Sequence, residues 1–216
     1  MKKSGFIQYF RNIMLVLTVL VCVMFSARPA HAASSFRDVS GRSSGIVDWA
    51  VENGITTGTG KNTFSPSGNC TRAQIVTFLC RTYKNKVDGA EISASENADA
   101  FVNFKDVPRS KYYYDPVSWA VRYGITSGTG RHNFSPDAVC TRAQAITFLW
   151  RCAGSPYSGS KASKIFRDVP VTAYYADAVS WAVSNGITSG TSSTTYSPNQ
   201  NCTRLQIITF IYRMLN

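Results

Sequence analysis

The chain repeats itself three times, and this limits its folding more than any other feature. FRDV at Phe36, FKDV at Phe104 and FRDV at Phe166 each open a segment that runs through Trp-Ala-Val at Trp49, Trp119 and Trp181. Each segment continues with Gly-Ile-Thr from Gly54, Gly124 and Gly186, then an aromatic-Ser-Pro at 64–66, 134–136 and 196–198, then Cys-Thr-Arg-x-Gln. From the tryptophan to the cysteine the second copy lies 70 residues after the first, and the third 62 after the second. Units repeated in this way bury their apolar faces on one another rather than alone. The copies occupy residues 33–83, 104–153 and 166–216. Residues 84–103, rich in Ala, Ser and Asn, and 154–165, rich in Gly, Ser and Lys, read as flexible or surface linkers.

Within a repeat the pattern predicts helix, loop, helix. In the second copy Asp115-Pro116 reads as a helix start, with Asp as cap and Pro at the first helical position, and Gly124 as the left-handed stop after Tyr123. Val117, Ala120 and Val121 share one face, while Trp119 lies about 200° away at 3.6 residues per turn. Two apolar faces suit packing on the repeat's own second helix and on a neighbouring repeat. The second helix begins at Thr71, Thr141 or Thr203, where Thr-x-x-Gln forms a capping box. Cys70 with Ile75, and Cys202 with Ile207, have the spacing of a hydrophobic staple, weaker for Cys140 with Ala145. Ile75, Phe78 and Leu79, and Ile207, Phe210, Ile211 and Met214, form apolar stripes.

Residues 1–32 read as a secretory leader: Lys2, Lys3 and Arg11, an apolar run from Ile13 to Phe25, then Ala30-His31-Ala32 as cleavage site. The run is short of the roughly 20 residues a spanning helix needs, so no membrane span is expected after cleavage. The chain's formal net charge is +11, and loss of the leader's four basic residues leaves +7. A basic exported protein suits acidic wall polymers or anionic surfaces, and export argues against nucleic acid.

The order FxDV, Trp-Ala, Gly-Ile-x-x-Gly, aromatic-x-Pro, Thr-Arg-Ala resembles the S-layer homology (SLH) domain family, three times over and across nearly all of the chain beyond the leader. The resemblance implies a mainly α fold, with three helix-loop-helix repeats in a pseudo-threefold helical bundle. It also implies non-covalent attachment to the bacterial wall, through secondary cell wall polysaccharide, often pyruvylated, held in grooves between adjacent repeats, or through peptidoglycan. The family's motif arginine corresponds to Arg72, Arg142 and Arg204. An Arg in the first turn, beside unpaired amides and the positive dipole end, can bind a sugar-borne carboxylate in bidentate fashion; a solvated residue beside a cap is the other reading. Asp38, Asp106 and Asp168 are turn or cap residues, or groove-lining ones under the resemblance. Gly58, Gly128 and Gly190 allow close backbone approach to a ligand, or simply a turn. Trp49, Trp119 and Trp181 offer sugar-stacking faces or, more commonly for tryptophans on a helix, buried ones.

The chain departs from the family pattern in places. Gln74, Gln144 and Gln206 stand where the family has Glu, which keeps the cap and removes three negative charges near the arginines. Leu205 replaces the usual Ala. Repeat 1 is two residues shorter between its phenylalanine and tryptophan, losing the Tyr-Tyr found at 112–113 or 113–114 and at 174–175. A groove that uses that pair is expected to be degenerate in repeat 1. Lys61 and Arg131 are equivalent, with Ser193 in the third copy.

Five cysteines follow the leader: Cys70, Cys80, Cys140, Cys152 and Cys202. An odd number cannot all pair within one chain, and they read as small buried hydrophobes, a Cys80–Cys152 bridge remaining open. Without Cys-x-x-C, His-Glu-x-x-His, Gly-x-Ser-x-Gly or a phosphate loop, no cofactor, metal site or catalytic residue is expected. Asn216 directly follows the last helix, so no appended catalytic domain is expected. The expectation is therefore a secreted, non-enzymatic wall-binding protein at the cell surface. The alternatives are a self-assembling surface-layer component, a peptidoglycan-binding accessory of a wall enzyme, or a module recruiting another protein through its linkers.

Overall fold

The computed structural model describes residues 36–86, 104–159 and 161–216, which belong to one compact unit. The expected leader and most of the first linker lie outside the described residues. The elements, in order, are α1 (Arg42–Glu52), α2 (Arg72–Lys86), α3 (Tyr114–Arg122), α4 (Arg142–Cys152), α5 (Lys161–Ile165), α6 (Ala176–Ser184) and α7 (Arg204–Leu215). Extended backbone among the described residues is limited to isolated bridges, so the fold is mainly α. No described helix is long and apolar enough to cross a membrane.

The capping boxes form as the Thr-x-x-Gln spacing predicts. In α4 the Thr141 hydroxyl accepts from the Gln144 amide, and the Gln144 side chain accepts from the Thr141 amide; Thr203 and Gln206 repeat this in α7, and Thr71 and Gln74 in α2. The first helix of repeat 2 differs from expectation. It starts at Tyr114 with Tyr113 as N-cap, and Asp115 lies within the first turn and makes no cap hydrogen bond. Gly124 follows the C-cap Tyr123 with φ 70°, as its stop role requires. The second linker is more structured than its composition suggests. It carries α5, whose Ala162 is fully buried and whose Ala162 amide donates to the buried Ser180 hydroxyl of α6.

The second helices α2, α4 and α7 pack pairwise around a central axis, and the first helices pack outside them in a cyclic order. Each first helix lies on the second helix of the preceding repeat: α3 on α2, α6 on α4 and, closing the ring, α1 on α7. Trp119 of α3 meets Tyr83 of α2 at 5.6 Å between ring centroids, and Trp49 of α1 meets Tyr212 of α7 edge-on at 5.1 Å. The expectation that a first helix packs on its own partner therefore needs correcting. Its tie to its own repeat is an arginine: Arg81, Arg151 and Arg213 donate through Nη1 to the carbonyls of Ile55, Ile125 and Ile187, 26 residues earlier each time.

On the axis the three repeats meet backbone to backbone. The Cys70 amide donates to the Cys202 carbonyl at 2.9 Å, Cys140 to Cys70 at 2.9 Å and Cys202 to Cys140 at 2.8 Å. All three cysteines are fully buried, and burial pushes the thiols of Cys70 and Cys140 up to about 12 and that of Cys202 higher still. These are small apolar residues filling a tight axis. All five described cysteines are free thiols, with no Cys80–Cys152 bridge.

A closed ring differs from an open array of repeats, in which each unit contacts only its neighbours and ends can fray. Deleting α7 removes both a third of the axis and the helix on which α1 packs. Far-ultraviolet circular dichroism of that variant should therefore show helix lost well beyond the 12 residues removed. A remainder that kept its full helicity and melted like the native chain would contradict ring closure.

Candidate functional site: the inter-repeat grooves

The junction between repeats begins with an aspartate. Both carboxylate oxygens of Asp106 accept backbone amides of the aromatic-Ser-Pro loop, from Phe134 at 2.9 Å and Ser135 at 2.7 Å. Asp38 does the same for Phe64 and Ser65, and Asp168 for Tyr196 and Ser197. The loop is bent hard there: Ser65, Ser135 and Ser197 have φ of 60°, 57° and 60°, a region that L-residues rarely occupy. Each serine hydroxyl is bonded to Thr59, Thr129 or Thr191 at 2.6–2.7 Å, which helps hold that bend. These amide bonds hold the Asp38 carboxyl below the usual carboxylate range, against an opposing effect of burial.

Gly58, Gly128 and Gly190 face this loop with φ near 90° (87°, 90° and 87°). A Cβ on Gly128 would lie 2.6 Å from both the Asn133 carbonyl oxygen and the Phe104 ring, and the other two meet the same obstacles. What needs the space at these glycines is the FxDV phenylalanine of the same repeat.

The loop so fixed presents a carbonyl and a ring to the previous repeat. Arg72 Nε donates to the Phe134 carbonyl at 2.9 Å, Arg142 to Tyr196 at 3.1 Å and Arg204 to Phe64 at 2.8 Å. Each guanidinium lies between two rings of the receiving repeat. For Arg72 these are Phe134 at 4.8 Å and Phe148 at 5.2 Å; for Arg142, Tyr196 at 4.8 Å and Phe210 at 5.6 Å; for Arg204, Phe64 at 5.0 Å and Phe78 at 5.4 Å. The helix-start amides follow the side chains across: Arg72 and Ala73 donate to Ala138 and Pro136, Arg142 and Ala143 to Gln200 and Pro198, Arg204 and Leu205 to Gly68 and Pro66. Two of the amides that a helix start usually leaves to solvent are thus satisfied by the next repeat.

The three arginines are only 4 %, 3 % and 5 % exposed, so none stands on the surface as a solvated residue. Burial lowers the pKa of Arg72 and Arg204. Their hydrogen-bonding capacity is unequally used. Arg204 Nη2 donates to the Thr56 hydroxyl at 3.3 Å, whereas Nη2 of Arg72 and of Arg142 is buried without a partner. Trp119 and Trp181 are buried, at 2 % and 6 % exposure, and Trp49 is half-buried, so these rings serve first as helix-packing groups.

A pocket of about 580 Å³ opens in repeat 2, lined by residues of that repeat. Its lining includes Phe104, Thr126, Ser127, Arg131 and Arg151, and no carboxylate. Thr126 occupies in repeat 2 the place of Thr56, the partner of Arg204 Nη2, so pseudo-symmetry puts it on the side toward which the vacant Nη2 of Arg72 is turned. None of the twelve residues singled out from sequence lines the pocket. Arg151 was missed, although Arg81, Arg151 and Arg213 recur at the same 70- and 62-residue offsets as the motif cysteines.

Replacing Asp106 by Ala should cost about 2 kcal/mol by thermal or denaturant unfolding, because two charge-assisted bonds to the loop are lost. Asp38 has a lowered native pKa, so its contribution is present above the unfolded carboxylate pKa and disappears as pH falls through the native one. Stability should therefore decline below about pH 4, with a smaller decline in Asp38→Asn; identical acid profiles for the two chains would contradict this role.

The SLH family model, described as the S-layer homology domain, matches residues 35–76, 103–146 and 165–208. The chain is similar to a cell surface protein of Thermoanaerobacter kivui, 34% identical over 100 residues, 46% of this chain and 12% of that protein. It is similar to an S-layer protein of Bacillus thuringiensis subsp. finitimus, 26% identical over 186 residues, 84% of this chain and 21% of that protein. An endoglucanase of Bacillus sp. (strain KSM-635) is 26% identical over 216 residues, 94% of this chain and 22% of the enzyme. The chain thus spans less than a quarter of each of these relatives. With three matched segments covering more than half of its length and a ring built from three equivalent helix pairs, the chain belongs to the S-layer homology domain family.

Proposed function

We propose that this chain is an exported, non-catalytic attachment module that holds anionic secondary cell wall polysaccharide in its inter-repeat grooves at the bacterial surface. The observation that carries the reading is the repeat 2 pocket, which Arg131 and Arg151 line without a carboxylate among the lining residues. A carboxylate-bearing sugar would supply an acceptor for the exposed Arg131 guanidinium, which suits it by geometry as well as charge. Arg72, Arg142 and Arg204 form the positive floor of the grooves. The aspartates and glycines hold the loops over that floor, and the tryptophans hold the helices around it. Three modest sites on one rigid ring would engage one polymer with avidity, without further contacts. The cell surface and S-layer proteins among the relatives support a surface setting.

The three junction arginines are poor test sites, because their removal would leave carbonyls unpaired inside the ring. Arg131 is exposed and can be changed without touching the core. The full chain should co-sediment with purified walls and lose that ability once the secondary polymer is stripped chemically. Arg131→Glu should weaken pelleting about tenfold, on the scale of a lost charge-assisted contact, and added salt should weaken the native chain too. Binding that survives stripping would point to peptidoglycan. A chain that pellets with no wall fraction would sink attachment and favour self-assembly, which sedimentation at several concentrations would reveal.

A further inference from the structure

The inner tyrosine of the pair preceding the first helix serves its own repeat, Tyr175 donating to the Asp168 carbonyl at 3.4 Å, but the outer one reaches away from it. The ring order places Tyr112 just before α3, which lies on α2, and Tyr174 just before α6, which lies on α4. With α6 lying on α4, Tyr174 of repeat 3 comes within electrostatic reach of Cys140 and Thr141 of repeat 2 and of Arg72 of repeat 1. Tyr112 of repeat 2 stands near Cys70 of repeat 1 and Arg204 of repeat 3, with Asp137 and Arg81 as further charged neighbours. The backbone explains this: Arg72 donates its amide to Ala138, two residues before Cys140, and Arg204 donates to Gly68, two residues before Cys70. The Arg72 and Arg204 grooves therefore each draw an arginine from one repeat, a loop and aspartate from the next, and a tyrosine from the third.

These two tyrosines are also the exposed members of their pairs. Tyr112 and Tyr174 are 61 % and 63 % exposed, each braced edge-on by its neighbour, Tyr113 or Tyr175, at 5.1 Å. The matching geometry decides the alignment that sequence left open: the pair is 112–113, not 113–114. An open aromatic face held beside a buried cation suits a ligand with an apolar sugar face and an acidic group. By the same cyclic order the tyrosine for the Arg142 groove would come from repeat 1, where two residues are missing before Trp49.

We propose that Tyr112 and Tyr174 are sugar-stacking platforms for the Arg204 and Arg72 grooves respectively, and that the Arg142 groove, having no platform, is the weak site. This rests on the attachment reading above and adds which grooves work and which residues decide it. It moves the expected defect away from repeat 1 itself: repeat 1 contributes Arg72 to a fully equipped groove, and its deletion impairs the groove between repeats 2 and 3.

The test is calorimetric titration of the full chain with the methyl glycoside of a pyruvylated hexosamine, alongside wall co-sedimentation of the same proteins. The native chain should show two equivalent sites and a third at least about tenfold weaker. Tyr112→Ala and Tyr174→Ala should each convert one strong site into a weak one, and the pair together should leave none, while Tyr112→Phe and Tyr174→Phe keep both. Both positions are exposed, so the variants should melt with the native chain. Three equal sites, or alanine variants that bind and pellet as the native chain does, would overturn the proposal. If the probe does not bind but walls do, the pelleting affinity of the alanine variants decides in the same way. If the native chain binds neither, attachment has failed, and the groove assignment fails with it.

Discussion

A guanidinium inserted between two aromatic rings of the next repeat is the contact on which this ring depends. Taking a charge out of water is costly, and the fields of Asp106 at Arg72 and of Asp38 at Arg204 offset only part of that cost. The compensation is local and repeated: one Nε bond to a loop carbonyl, two ring faces within 6 Å, and the paired helix-start amides beside it. Lysine could not replace this, having neither a flat face to lie between rings nor a side-directed N–H at the depth of Nε. The loop must be in place before the arginine arrives, and this explains the aspartate fork. Its two oxygens fix the backbone amides of the same residue whose carbonyl receives the arginine and of the serine after it.

Under the attachment proposed above, the cyclic arrangement would keep binding and stability from competing at these residues. A surface arginine serving a ligand must be ordered on binding, at a cost in side-chain entropy. Here the ordering is done by folding, because the side chain is already fixed by its stacking and its Nε bond. A ligand would meet the field of a held charge, together with the exposed Arg131 that lines the repeat 2 pocket. Substituting Gln for the family's Glu at 74, 144 and 206 fits this setting: the capping box keeps its hydrogen bonds, while no carboxylate stands in the same turn as the arginine.

Much of this was legible in the sequence because it is local. The Thr-x-x-Gln caps and the Gly124 stop depend on residues within one turn or loop of each other, and the repeat offsets show as recurrence of the same local motifs. The cyclic packing was not legible, for a reason of symmetry. In three similar repeats an apolar face complementary to its own partner is complementary to every copy of that partner, so patterning alone does not choose between packing within a repeat and packing across repeats. The burial of Arg72, Arg142 and Arg204 was hidden because first-turn arginines usually face water, and their aromatic partners lie 54 to 140 residues away. The recurrence of Arg81, Arg151 and Arg213 was visible as an offset but has no motif value until the carbonyl it meets is known.

The small differences between junctions carry more functional information than their shared plan. At the Arg204 junction Thr56 completes the guanidinium's hydrogen bonding, and at the Arg72 junction the corresponding bond is not made. At the Arg142 junction Tyr196 replaces phenylalanine, and its hydroxyl donates back to the Arg142 carbonyl at 3.1 Å, adding a bond that the other junctions lack. That third junction is thus reinforced internally where its outer tyrosine is missing. A fold that needs all three contacts to close cannot discard one of them, but it can let one groove lose its ligand-facing side chain while strengthening the contact beneath. Under the groove assignment proposed above, the ring retains threefold packing while its binding surface becomes twofold, and the two properties can diverge because different side chains carry them.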